Sequence, residues 1–296
     1  MPKKRLLITG ASGFLGWNLC KVAKKEWTVF GTVFCHSVDI LDITLLQVDL
    51  TNFERLRELF RQVKPDAVIH TAAMADPDFC QQNRTFSHAI NTEASVDIAG
   101  HCSDLGIPCL FTSTDLVFNG LNPPYAEEDE PSPLSVYGEQ KVLAECGMRD
   151  RYPSTVICRL PLMFGDPGPV AQSFIQPLIR ALKSGSELSL FVDEFRTPVS
   201  GKDAAEGLML ALTQLPDIIH LGGAERISRY EFGQLLSKVL LRMPHAQLNP
   251  CRQKDLKLPA PRPPDVSFDS SKAMALGFKP NALRAELEKL RHVIDF

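Results

Sequence analysis

The chain carries no surplus of charge of either sign, since 32 Lys and Arg stand against 35 Asp and Glu, a formal net charge of -3 at pH 7. Without a positive field there is little to draw it onto a phosphate backbone or an anionic membrane, so neither nucleic acid nor membrane is expected as a partner. The eight cysteines (20, 35, 80, 102, 109, 146, 158 and 251) include no C-x-x-C pair and no cluster with histidine. That spacing argues against a zinc site and a disulfide framework; reduced thiols, no metal and a cytoplasmic location are the expectation. No stretch approaches the ~20 apolar residues that span a bilayer. The opening Met1-Pro2-Lys3-Lys4-Arg5 is basic, but only Leu6-Leu7-Ile8 follows before a Thr-Gly turn, which reads as a strand and not as a secretory leader. Repeats and low-complexity tracts are missing too. What is present is 44% hydrophobic residues over 296 positions, enough for a large core in one big domain or two closely joined ones.

The first half alternates short apolar runs with longer amphipathic stretches, the pattern of strand and helix units winding a parallel sheet. Strands are predicted at Arg5 to Ile8, Thr28 to Val33, Thr44 to Val48, Ala67 to His70, Cys109 to Thr112 and Thr155 to Cys158. Helices are predicted near Gly13 to Lys25, Asn52 to Gln62, Phe86 to Leu105 and Ser135 to Met148, from apolar residues three and four apart. Right-handed crossovers then dictate an α/β doubly wound sheet. Beyond about residue 165, proline and glycine interrupt often, as in Gly165-Asp166-Pro167-Gly168-Pro169 and Pro261-Arg262-Pro263-Pro264, and the strand rhythm weakens. The expected division is a nucleotide-binding part over 1–165, rejoined by about 197–222, and a smaller C-terminal α/β substrate-binding part over 166–196 and 223–296.

Leu6-Leu7-Ile8-Thr9-Gly10-Ala11-Ser12-Gly13-Phe14-Leu15-Gly16 places three glycines between a strand and a helix, spaced G-x-x-G-x-x-G. Glycine permits the tight turn and lets the main chain approach a pyrophosphate, whose charge is favoured by free N–H groups at the helix N-terminus. Ser12 adds a hydroxyl. The segment is the phosphate cradle of a Rossmann-type dinucleotide site. At the end of the second strand, Val33-Phe34-Cys35-His36-Ser37 has no carboxylate before Asp39, where a site built for the ribose 2′-hydroxyl of NAD would carry one. His36 and Ser37 can instead donate to a 2′-phosphate, so NADP(H) is the expected cofactor, with NAD(H) as the alternative.

Ser135-Val136-Tyr137-Gly138-Glu139-Gln140-Lys141 gives Y-x-x-x-K, which on a helix puts phenol and ammonium on one face. A nearby Lys⁺ would favour the phenolate and lower a tyrosine pKa that otherwise sits at about 10. Phe111-Thr112-Ser113-Thr114-Asp115 closes the fifth strand, where strand ends face the binding crevice, so Thr114 or Ser113 can hydrogen-bond a substrate carbonyl oxygen.

With these residues assembled the chain resembles the extended short-chain dehydrogenase/reductases, and within them the dTDP-4-dehydrorhamnose reductase group of sugar-nucleotide reductases. The likeness runs nearly end to end. It rests on Thr9 to Gly16, Val48-Asp49-Leu50, His70-Thr71-Ala72-Ala73, Ser113 to Gly120, Tyr137 to Lys141 and Arg262-Pro263-Pro264. The resemblance implies a catalytic triad of Thr114, Tyr137 and Lys141, and hydride passing to a sugar keto carbon while tyrosine supplies the proton. It implies cofactor contacts from Gly10, Ser12, Gly13, Phe14, Leu15, Gly16, Asp49, Leu50, Thr71, Ala72, Ala73 and Leu160, besides Tyr137 and Lys141. Two positions depart from the group: Leu116 stands where it usually has tyrosine, and Leu162 where the rhamnose enzymes carry a tryptophan, so the nucleotide is left open. Asn122 to Asp129, Pro133-Leu134 and Tyr230-Glu231 are similar to the regulatory beta subunit of methionine adenosyltransferase, which implies a second reading as a non-catalytic NADP-binding subunit of a partner protein.

Substrate contacts are expected from Met74, Asp76, Asp78, Phe118, Arg196 and Arg262, by resemblance or by position on loops after strands. An arginine fork suits a diphosphate. Homodimerisation through the helices near Phe86 to Leu105 and Ser135 to Met148 is what the superfamily resemblance implies. If the second strand ends where the sequence places it, His36→Asp shifts cofactor preference from NADP toward NAD by repelling the 2′-phosphate. An unaltered NADP:NAD ratio in affinity measurements would put that strand end elsewhere.

Overall fold

The computed structural model describes residues 3–240 and 247–291, so Met1 and Pro2 of the basic opening and the end of the expected 223–296 segment lie outside the described residues. Strands β1 (Arg5–Thr9), β2 (Thr28–Val33), β3 (Thr44–Gln47), β4 (Ala67–His70), β5 (Cys109–Thr114) and β6 (Val156–Leu160) match the predicted six to within two residues at each end. Helices α1 (Phe14–Ala23) and α2 (Phe53–Val63) fall where 3.6-residue periodicity puts them. The predicted helix from Phe86 is instead a longer, broken path: α3 (Pro77–Gln82), α4 (Arg84–His88), one π turn (Ala89–Glu93) and α5 (Ala94–Leu105). Asp76 starts it early, because its side chain accepts the Asp78 and Phe79 amides and Pro77 follows as a ready-made first helical residue. Helix α6 (Val136–Arg151) opens on Ser135, whose hydroxyl accepts the Gly138 amide.

The second half holds β7 (Met163–Phe164), α7 (Ile175–Lys183), β8 (Leu188–Phe191), β9 (Phe195–Arg196), β10 (Val199–Ser200), α8 (Gly201–Gln214), β11 (Ile218–His220), β12 (Ile227–Ser228), α9 (Arg229–Val239), β13 (Leu248–Cys251), α10 (Ser271–Ala275) and α11 (Leu283–Leu290). Seven strands form one sheet in the order β11-β6-β5-β4-β1-β2-β3, with every pairing parallel. The chain thus returns after residue 197 to add β11 at the edge beside β6. A parallel sheet is covered on both faces. Alternation along β1 sends Leu6 and Ile8 into a core with α1 and α8, and Leu7 into the opposite core with α2, α5 and α6. A third core, with Phe164, Ile179, Phe232, Leu236 and Leu287, holds the C-terminal elements together.

Strand order reverses between β1 and β4, and at such a switch point the carboxyl ends of neighbouring strands splay into a crevice. The turn from β1 into α1 is very tight there. Gly10 sits at φ +71, and a Cβ on Gly16 would lie 2.1 Å from the Gly10 carbonyl oxygen. Gly16→Ala must therefore push α1 off the strand; a loss of about 1–3 kcal/mol is expected in urea denaturation. An unchanged midpoint would contradict the close approach.

Candidate active site

Two cavities open along the crevice. The first, about 250 Å³, is lined by Gly10, Ser12, Gly13, Thr32, Phe34, Asp49, Leu50, Thr71, Ala72, Ala73 and Met74. It therefore gathers the glycine turn, the Val48-Asp49-Leu50 segment and the loop after β4 into one surface. The Phe14, Leu15 and Gly16 amides precede the helical ladder of α1, which the Trp17 N–H begins at Gly13 O. Leu15 and Gly16 are buried behind this wall, Leu15 in the core and Gly16 at the close contact with Gly10. Phe14 is half-buried and does not line the cavity. His36 and Ser37 depart from expectation. Both are exposed and off the cavity wall, which Thr32 and Val33 of β2 and Phe34 just after it line instead.

The second cavity, about 340 Å³, is lined by Ser113, Thr114, Asp115, Tyr137, Leu160, Leu162, Glu194, Arg196, Arg229 and Arg262 among others. Tyr137 and Thr114 meet because α6 starts hard against the end of β5: a Cβ on Gly138 would lie 2.2 Å from the Leu116 carbonyl oxygen. The Thr114 hydroxyl donates to Asp115 Oδ1 at 3.1 Å and accepts the Leu116 amide at 3.2 Å. Thr114 and the Tyr137 phenol line this cavity together, and the nearby Thr114 hydroxyl eases ionisation of the phenol. Lys141, one turn along α6, is 1% exposed, with its Nζ 3.9 Å from the centre of the Phe111 ring.

The electrostatics correct one expectation. Burial, with the Asp115 carboxylate adding to it, pushes the Tyr137 phenol above its ordinary value, and Lys141 is not what governs it. Lys141 itself is pulled down to about 7 by burial, opposed only by Glu145. Asp115 is pushed up to about 6 by burial, against the pull of Arg196. In the protein alone the phenol thus keeps its proton.

The expected substrate contacts divide. Arg196 and Arg262 reach the second cavity. Met74 faces the first. Asp76 is spent on capping α3. Asp78 accepts the Ala260 amide at 3.1 Å and pairs with Arg262 at 2.9 Å. Phe118 is corrected: it is fully buried, stacked on Tyr125 at 4.1 Å and edge-on to His220 and Phe268, so no ligand can touch it. Sequence reasoning missed Glu194 and Arg229. For Arg229 a signal existed, since Ser228 and Glu231 form a capping box that fixes Arg229 as the first residue of α9.

A parallel sheet with this strand order, a glycine cradle at its switch point and a tyrosine and lysine one turn apart on the adjoining helix define a Rossmann-type nucleotide-binding protein. The chain belongs to the family described as RmlD substrate binding domain, whose model matches residues 4–295. It is 32% identical over 237 residues to a probable low-salt glycan biosynthesis reductase of Haloferax volcanii, covering 79% of each chain. It is 28% identical over 286 residues to methionine adenosyltransferase 2 subunit beta of Rattus norvegicus, covering 94% of this chain and 84% of that one. Among solved structures, a hypothetical dTDP-4-dehydrorhamnose reductase from Sulfolobus tokodaii superposes with a TM-score of 0.80 at 31% identity, over 92% and 94% of the two chains. The dTDP-4-dehydrorhamnose reductase of Bacillus anthracis, solved in complex with NADP, has the same fold, with a TM-score of 0.86 at 23% identity over 97% and 98%.

Because the folded-state pKa of Lys141, about 7, lies below its ordinary 10.5, the unfolded chain binds more protons between those values. The cost of burying this ammonium is therefore full below about pH 7 and fades as pH rises toward 10.5. Lys141→Met is expected to gain stability over the native protein at about pH 6 and to lose that advantage by about pH 10, read from urea midpoints of cofactor-free protein. A gap independent of pH would show an unperturbed lysine.

Proposed function

We propose that the protein is an NADP(H)-dependent oxidoreductase that reduces the keto group of a nucleotide-linked sugar, with Tyr137 giving the proton. One observation carries this: Tyr137 and Thr114 together line a cavity of sugar size beside the glycine-walled cavity. The chain fits a dinucleotide. Gly13 presents bare main chain to the first cavity, Ser12 a hydroxyl, and Thr71 to Ala73 a wall without bulk. In this reading the α1 amides hold the pyrophosphate, Asp49 and Leu50 border the adenine, Leu160 the nicotinamide, and Lys141 the ribose. The bound cofactor supplies hydride. Thr114 positions the carbonyl oxygen, and Tyr137 protonates the oxygen as negative charge develops on it. Residues 1–165 with 197–222 would serve the cofactor and 166–196 with 223–296 the substrate. A cytoplasmic location goes with this proposal, and no helix among the described residues is long and apolar enough to cross a membrane.

The likeness to the adenosyltransferase subunit supports a second reading, a regulatory subunit that holds NADP and turns nothing over. NADPH oxidation with a panel of nucleotide-linked keto sugars separates the two. Turnover is expected; its absence in NADP-saturated protein that binds an adenosyltransferase would favour the regulator. Tyr137→Phe removes the proton donor without removing bulk, so reduction is expected to vanish while cofactor affinity stays within roughly threefold, a shift of under about 1 kcal/mol. Unchanged turnover would exclude the assigned role.

A further inference from the structure

Behind the Tyr137–Lys141 pair lies a cluster of charge that lines neither cavity. Lys141 and Glu145 stand four apart on α6, the spacing that puts two side chains on one face, and both are buried, 1% and 5% exposed. Arg159 of β6, 2% exposed, grips the same carboxylate with a fork, Nε to Glu145 Oε1 at 3.1 Å and Nη2 to Oε2 at 2.8 Å. Its Nη1 lies 3.4 Å from His220 Nε2. Burial, with Arg159 adding to it, pulls His220 down to about 3, so Nε2 is a neutral acceptor and Nδ1 gives its hydrogen to Tyr125 O at 3.1 Å. Two buried cations thus share one buried carboxylate, and because both of its oxygens go to Arg159 it answers Lys141 through space. Of the other groups around the ammonium, β5 offers the Phe111 ring at 3.9 Å and β4 offers His70, pulled down to about 3 and uncharged near neutrality. Tyr137, on α6 itself, keeps its proton, and Asp115 past the end of β5 is engaged by Arg196 at 3.5 Å.

We infer that Glu145 is the counter-charge that keeps Lys141 an ammonium near neutral pH, and that Arg159 pins this carboxylate in place, so that both are positioning residues for the site. A buried ammonium with no anion near it gives up its proton, and a carboxylate one turn along the same helix opposes that loss. Unpinned, the carboxylate would be drawn onto the lysine in a tight pair. Held by the planar guanidinium, it supplies its field and leaves the ammonium's own donors for another partner. The consequence for cofactor binding rests on the reading of Lys141 as the group that holds the ribose; the effect on the charge of Lys141 does not.

The test is an NMR pH titration of cofactor-free protein carrying isotope-labelled lysine, the Lys141 signal being assigned by its loss in Lys141→Met. The native midpoint is about 7. Glu145→Gln keeps the shape and removes the charge, so the midpoint is expected to fall by roughly one pH unit or more. Arg159→Lys loosens the same pair but leaves the carboxylate, and the midpoint is expected to stay within about half a unit. Calorimetric titration with NADP supplies the second readout. With a fall of one unit and binding only to the ammonium form, Glu145→Gln binds roughly fivefold more weakly than native at about pH 7 and within roughly twofold of it at about pH 5.5. Should Glu145→Gln fail to fold because it strands the arginine, Glu145→Gln combined with Arg159→Met removes both charges, and the same fall is expected. A lowered midpoint with this pH-dependent loss of affinity supports the inference. A midpoint unmoved in the folded variant, or moved as far by Arg159→Lys, overturns it, as does a lowered midpoint with NADP affinity equal to native at about pH 7. If native protein takes up no NADP, the oxidoreductase proposal falls, and the titration of cofactor-free protein still decides whether Glu145 is the counter-charge.

Discussion

The crevice depends on one hydroxyl. Thr9 Oγ1, at the last position of β1, accepts the Thr71 amide at 3.0 Å and the Ala72 amide at 3.1 Å and lies 2.7 Å from His70 Nδ1. With two donors already pointed at it, its own proton goes to the imidazole. His70 Nε2 must then carry hydrogen, which it gives to Ser95 Oγ at 2.9 Å, and Ser95 in turn donates to Asn91 O at 2.8 Å. The chain of donors has one self-consistent direction, and it fastens the glycine turn after β1 to the loop after β4 and to the π turn. Each bond is worth about 0.5–1.5 kcal/mol net, but breaking one here strands buried groups at greater cost. Burial, with Lys141 adding to it, pulls His70 down to about 3, so protonation does not disturb the arrangement near neutrality.

Around this fixed edge the site is built by close backbone approach. Gly16 lets α1 touch the turn, and Gly138 lets α6 touch Leu116, so the start of α1 and the Tyr137 phenol are placed by main-chain contact rather than by flexible side chains. The price is a low-dielectric interior in which every charge must be answered. Lys141 is answered mainly by Glu145 and the Phe111 ring, Asp115 by Arg196, and Arg196 again by Glu194. Among the described residues, Nη1 of Arg229 and of Arg262, Oγ of Ser113 and of Ser267, and one oxygen each of Asp97 and Asp115 are buried with no hydrogen-bond partner.

How much of this could be read from the residues alone varies with the range of the interaction. Strands β1 to β6, helices α1, α2 and α6, the glycine turn and the Tyr137–Lys141 spacing are local patterns of periodicity and turn chemistry, and they emerged with ends off by two residues or fewer except at the C-terminal end of α6, which runs on to Arg151. The broken path from Pro77 to Leu105 did not, because its π turn answers to the packing of Asn91 against Gln140 at 2.9 Å on a distant helix. Phe118 looked like a loop residue beside the strand end, and only the packing of nearby Tyr125 together with Phe268 from far along the chain shows it to be core.

By itself, then, the sequence determined the doubly wound sheet, the glycine turn and the placing of Tyr137 and Lys141 one turn apart on a helix, since each follows from residues within a turn or a strand of one another. The tertiary structure alone decided which charges are spent and which are free. His36 and Ser37 were turned to solvent, Arg196 was consumed by two carboxylates, Arg229 was brought in from the start of α9, and the tyrosine was made a held acid rather than a phenolate. Those outcomes depend on burial and on partners tens of residues away, and no local pattern of residue types encodes either.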